Sequence, residues 1–195
     1  MGTVITKSAS GGAWGGGGFH IIRPTFPNSL YSLKINGTPT TTCTTATNRM
    51  TLMPFLPNND LNSFFVHINV TAASAGVTCK ILVFSDSLGS PVNKLYESFD
   101  LNCATTGVKF TSCGVAFKKN TVYWVGTITS AAGPTLTQYS VDSMLPISEN
   151  DTGGSTNWFL STTSYSYSAV PAVVTSENFT PQTVNCPAVY ISRYE

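Results

Sequence analysis

At 195 residues the chain is long enough for one large β domain with its own core, or for a domain with an arm. Hydrophobic residues make up 42%, which excludes a disordered chain, while charged residues make up only 10%, against about 25% in ordinary globular domains. A net charge of +1 leaves no basic stripe to neutralise phosphates, so no nucleic-acid partner is expected. Thr, Ser, Asn and Gly stand where charges would. Such a surface repels its own copies weakly, so a subunit of an assembly is expected rather than a neutral secreted monomer.

The opening segment, residues 1–27, reads as a Gly/Pro-rich arm. "MGTVITKSAS" lacks the apolar stretch of a signal peptide, and no run of about 18 apolar residues follows, so no membrane insertion is expected. "SGGAWGGGGFHIIRPTFP" sets Trp14 and Phe19 in a glycine cluster that is costly to order and cannot form a core. It reads as an arm whose aromatic anchors dock on a neighbour, or as a leader without structure. "GGGG" lacks the GK[ST] that a phosphate loop requires.

From residue 28 to 195 the punctuation is that of an all-β protein: short apolar runs broken by turn residues. The predicted strands are Leu30–Ile35, Arg49–Phe55, Phe64–Val70, Thr78–Phe84, Leu95–Asn102, Val108–Phe117, Val122–Thr129, Thr135–Tyr139 and Ala188–Arg193. Phe64, Val66, Ile68 and Val70 alternate cleanly and define a core face, with His67 opposite. Leu95, Phe99, Leu101 and Cys103 form a second such set. In "VKFTSCGVAF", Val108 and Phe110 start in phase and a one-residue slip hands the face to Cys113, Val115 and Phe117; Gly114 beside it suggests a bulge. The tail from Asn150 to Pro187 is rich in Ser, Thr and Tyr, and its "SYSYS" reads as an exposed edge strand or a long loop with aromatic tips. Many short antiparallel strands imply a β-sandwich, jelly-roll-like, whose closure hides most edges.

Cys43, Cys79, Cys103, Cys113 and Cys186 are odd in number and lack CxxC spacing, against a disulfide framework or a structural metal site. Cys79 is in phase with Ile81 and Val83 and reads as a core thiol. A hairpin turning at Ala104–Gly107 would set Cys103 beside Val108 and Cys113 beside Ser98, so those two are not expected to pair. Free thiols suggest folding in a reducing compartment. Four glycosylation sequons, at Asn36, Asn69, Asn150 and Asn178, read as chance matches in a Thr-rich chain.

"FSDSLGSP", Phe84–Pro91, gathers an acid, hydroxyls and a glycine, and so invites a reading as an active site or calcium loop. Asp86 has no second acid at calcium-loop spacing and no carboxylate partner of the glycosidase kind, and a serine triad lacks its histidine, since His20 lies in the glycine arm and His67 mid-strand opposite the core face. A turn accounts for each residue instead: Asp86 bonds its own backbone, Gly89 supplies a positive φ and Pro91 stiffens the exit. No catalytic constellation, metal cluster or cofactor site emerges, and no enzyme is expected.

The runs "AGVTCKILVFSDSLGSPVNKLYES", "TTGVKF" and "KKNTVYWVGTITSAAGPTLTQYS" resemble, in order and spacing, a β-sandwich module of tailed-bacteriophage virion proteins. In that module a strand ends in an aromatic-x-Asp, a Gly-x-Pro turn follows, then "TTGVK", a Thr-Tyr-Trp strand and "APTL". Phe84, Asp86, Gly89 and Pro91 match the turn; Thr105–Lys109 match the second; Val122, Tyr123 and Trp124 match the strand; Pro134, Thr135 and Leu136 match the exit. "NRMTLMPFLP" resembles the module's opening strand. The likeness spans about Asn48 to Leu136 plus the last strand; the cysteines and the Tyr/Ser region after Asn150 depart from it.

The resemblance implies a non-enzymatic virion protein of a tail fibre, tail tip or capsid surface, made in the host cytoplasm. It would assemble as a homo-oligomer, with a trimer expected, and contact other virion proteins. The alternative is a carbohydrate-binding module for a host-surface glycan. Trp158, Tyr165 and Tyr167 would stack on sugar faces there, with Asn150 and Asp151 as polar contacts. The same rings could instead pack beneath the long loop or at a subunit interface.

Overall fold

The computed structural model describes residues 41–57, 59–62, 64–138, 159–182 and 186–193. The arm with Trp14 and Phe19, and the predicted strand Leu30–Ile35, lie outside the described residues. The first strands are β1 (Thr41–Thr44), β2 (Met50–Phe55), β3 (Phe64–Ala72), β4 (Thr78–Ser87), β5 (Ser90–Glu97) and β6 (Leu101–Asn102). Then follow β7 (Gly107–Cys113), β8 (Tyr123–Thr129), β9 (Thr135–Gln138), β10 (Phe159–Thr162), β11 (Thr180–Gln182) and β12 (Tyr190–Arg193).

They form two antiparallel sheets, so the chain is the all-β sandwich its punctuation predicts. One sheet runs β1-β9-β3-β12, with β7 on the other side of β3; the larger runs β11-β10-β2-β8-β4-β5, with β6 also on β4. The chain crosses between sheets at most steps, as in a jelly roll, and β4–β5 is a tight hairpin. Between the sheets lies the main core. Phe64, Val66, Ile68 and Val70 meet Cys79, Ile81 and Val83 there, and Phe117 stacks on Phe64 at 4.8 Å.

The larger sheet is apolar on its other face too. Met50, Leu52, Leu82, Phe84, Trp124, Ile128 and Leu160 face away from the main core. Residues 163–179, between β10 and β11, cross this face as a strap and plant Tyr167, Val170, Val174 and Phe179 on it. Two covers explain why every residue of β2 and β8 is buried and why "VYWVGTIT" reads as a continuous apolar run. The strap also screens the sheet's edge: Lys94 N–H donates to the Ala172 carbonyl at 2.7 Å, and Val174 N–H to Val92 at 2.8 Å.

Three expectations are corrected. First, Leu95–Asn102 is not one strand. β5 carries surplus residues against β4, so Val83 pairs with Tyr96 and Phe84 with Lys94. Leu95 is the residue left over, and β5 ends at Glu97. Tyr96 therefore packs against the core, while Leu95 and Phe99 are exposed.

Second, the predicted hairpin between Leu95–Asn102 and Val108–Phe117 does not form. β6 pairs with β4 and β7 with β3, so the turn at 103–106 crosses from sheet to sheet. Third, no slip occurs in β7, whose ladder is unbroken from Phe64 opposite Cys113 to Val70 opposite Gly107. Thr111 and Cys113 point inward, and Val108 and Phe110 point out.

Gly126 in β8 sits where a Cβ would overlap the Thr51 carbonyl oxygen of β2, a backbone atom that cannot step aside. Gly126→Ala is therefore expected to cost at least about 3 kcal/mol, read as a loss of midpoint in urea unfolding.

Candidate functional site

The stretch Phe84–Pro91 is a turn. Ser87 pairs with Ser90 across a two-residue loop, with Leu88 at φ 53° and Gly89 at φ 82°. Positive φ at both central positions gives the twist a tight hairpin needs. One Asp86 carboxylate oxygen, Oδ2, accepts from the Gly89 N–H at 3.2 Å. The other, Oδ1, accepts from the buried indole of Trp124 at 2.8 Å, a contact the sequence does not announce. The carboxylate is thus taken up by the fold on both oxygens.

Tyr165 and Tyr167 lie in the strap. Tyr167 is buried; its hydroxyl donates to Asp100 Oδ1 at 2.8 Å and its ring lies 4.7 Å beneath the Lys80 ammonium. Burial pushes its hydroxyl well above the ordinary tyrosine range, so it remains a donor. Tyr165 packs against the second core, and its hydroxyl oxygen accepts from the Thr175 N–H and the Asn178 amide. Trp158, Asn150 and Asp151 lie outside the described residues.

A charged cluster holds this strap to the sheet. Lys80 and Lys94 grip the two Glu97 oxygens at 2.7 and 2.6 Å. Lys94 Nζ also donates to the Val170 carbonyl at 2.6 Å, and Lys80 Nζ to that of Tyr167 at 3.3 Å. Lys80, set in phase with Leu82 and Phe84, was the available sign that this face meets something polar.

The outer face of the smaller sheet carries an aromatic strip. Tyr190, His67 and Phe110 stand side by side on β12, β3 and β7. His67 stacks on Tyr190 at 5.0 Å, and Phe65 meets Phe110 edge-on at 5.5 Å. Desolvation lowers the His67 pKa, keeping the ring neutral near pH 7. Phe110 is 59% exposed and Val108 beside it 57%. No alternation argument flags this strip, because its apolar residues occupy the solvent side of regular strands.

All five cysteines are free and buried. Burial pushes Cys43 up to about 12 and Cys113 to about 11, so the thiolate that reacts or binds metal is suppressed. Among the described residues no group of three His, Cys, Asp or Glu could hold a metal ion. Nor is any helix long and apolar enough to cross a membrane among them. No protein-family model matches the sequence, and no curated protein matches it.

Leu88 holds a left-handed backbone while 85% exposed, a conformation asparagine adopts at lower cost. Leu88→Asn is expected to raise unfolding stability by about 0.5–1 kcal/mol in denaturant titration. In a thiol-reagent assay at pH 8 the native chain should leave all five cysteines unlabelled, and unfolding should release them together.

Proposed function

We propose that the chain is a non-enzymatic structural component of a bacteriophage virion, at a tail fibre, tail tip or capsid surface, that works as a homo-oligomer. The virion placement rests on the order and spacing of the motifs from Asn48 to Leu136. One structural observation supports assembly: the aromatic strip on β3, β7 and β12, where Phe110 and Val108 leave more than half their surface open. An exposed Phe110 and Val108 flanked by the half-buried rings of Phe65, His67 and Tyr190, on a chain of net charge +1, form a face that gains by being covered. A trimer is the expected state. Host attachment would extend this role through Trp158, Asn150 and Asp151, with the strap tyrosines beside them in sequence.

The test is light scattering on the purified full chain, with labelling of intact particles. A stable oligomer is expected, and Phe110→Ser with Val108→Ser should shift it to monomer without lowering its melting temperature. A wild-type chain that stays monomeric at micromolar concentration overturns assembly. A label absent from particles overturns the placement.

A further inference from the structure

The strap and the main core are separate in their packing. No residue of 163–179 belongs to the cluster between the sheets, and the strap's buried apolar side chains pack in the cluster on the outer face of the larger sheet. Its regular structure is two short 3-10 turns, Tyr167–Ala169 and Ser176–Asn178. Beyond apolar packing, it is held by two main-chain bonds to β5, by the Tyr167 N–H on Asn48 Oδ1 at 3.0 Å, by the Tyr167 hydroxyl on Asp100 Oδ1 at 2.8 Å, and by the lysine cluster.

Glu97 is the hub of that cluster. Lys80 and Lys94 come from different strands, and their side chains are only 14% and 20% exposed. Two ammonium groups this confined are tolerable because one carboxylate lies between them. Each ammonium also binds a strap carbonyl, so the anion that brings the lysines together fixes the strap.

We propose that the strap is an acid-releasable cover. Protonation of Glu97 removes the anion between Lys80 and Lys94 and lets residues 166–174 lift, while the two-sheet sandwich stays folded. Lifting would uncover Leu52, Leu82, Phe84, Trp124 and Ile128 as one apolar surface.

The direction follows from the charges. Burial raises the Glu97 carboxyl, but hydrogen bonds and charge from Lys80 and Lys94 outweigh it and hold the group below the ordinary glutamate range. A carboxylate lowered by folding contributes stability above its unfolded value, and loses it as pH falls through the folded one. Other titratable groups lie on the elements around the cluster. Asp100 stands 3.8 Å from Lys80 and accepts from Tyr167. Glu177 lies exposed in the strap's second turn. The Cys79 thiol, next to Lys80 on β4, is buried on the opposite face and held neutral by desolvation.

Amide hydrogen exchange on the full chain tests this, comparing about pH 7 with about pH 3, below the ordinary glutamate pKa of about 4.3. After correction for intrinsic rates, protection of the Tyr167, Ala169, Lys94 and Val174 amides should fall more than tenfold at acid pH. The β8 amides should keep theirs. Glu97→Gln should show the loosened strap already at pH 7 with no further drop, and Asp100→Asn should keep the wild-type response. Binding of the dye ANS should rise with strap exchange. The proposal is overturned if strap and β8 amides lose protection together, if strap protection is unchanged by acid, if Glu97→Gln behaves as wild type, or if Asp100→Asn abolishes the response.

Discussion

The larger sheet must be covered on both faces, and the rest of the architecture answers that demand. Trp124, Phe84 and Leu82 point away from the main core, yet their surface is fully buried. Burying such side chains contributes about 1.5–3 kcal/mol each, and exposing the face would forfeit most of it. The smaller sheet covers one side. The other falls to a strap of almost no regular structure, whose few apolar residues are spaced to reach the sheet. Because the strap also bonds to β5, one segment closes both the face and the edge.

The charged and hydroxyl groups of the strands and turns also hold the fold together. Asp86 fastens the β4–β5 turn to Trp124. Tyr96 spans the gap between sheets and donates its hydroxyl to the Ser112 carbonyl of β7 at 2.7 Å. Asp60 caps the Lys119 N–H at 2.8 Å and meets Lys118 at 3.1 Å. These groups are spent on backbone and neighbours. The aromatic strip on β3, β7 and β12 stands apart: Phe65, His67 and Tyr190 are half-buried there, while Phe110 and the neighbouring Val108 leave more than half their surface open.

Much of this was legible in the sequence where one face of a strand is buried. Phe64–Val70 alternates because one side meets the core and the other water, and its burial follows the expected pattern. The turn at Asp86 and Gly89 was legible because backbone sign and side-chain bonding are local properties. What failed was partner choice. Nothing local distinguishes a β7 that pairs with β6 from one that pairs with β3. The surplus residues of β5 likewise shift its inward set from Leu95 to Tyr96 without altering composition. β1, β10 and β11 escaped notice because "TTCT", "FLST" and "TPQ" have too few apolar residues to show a period. The strap was read as an edge or loop, since its tyrosines mark amphipathic rings and not the side they face.

The order in which the chain visits its sheets governs how it can be made. β2, β4 and β8 reach a ribosome exit early, but the residues that cover their outer face lie at 163–179. Until those emerge, a nascent chain carries a bare hydrophobic wall with few local hairpins to hold it, the state most prone to clump or to engage a chaperone. A product truncated before β10 would keep that wall for its lifetime, so residues 163–179 act as its solubility tag.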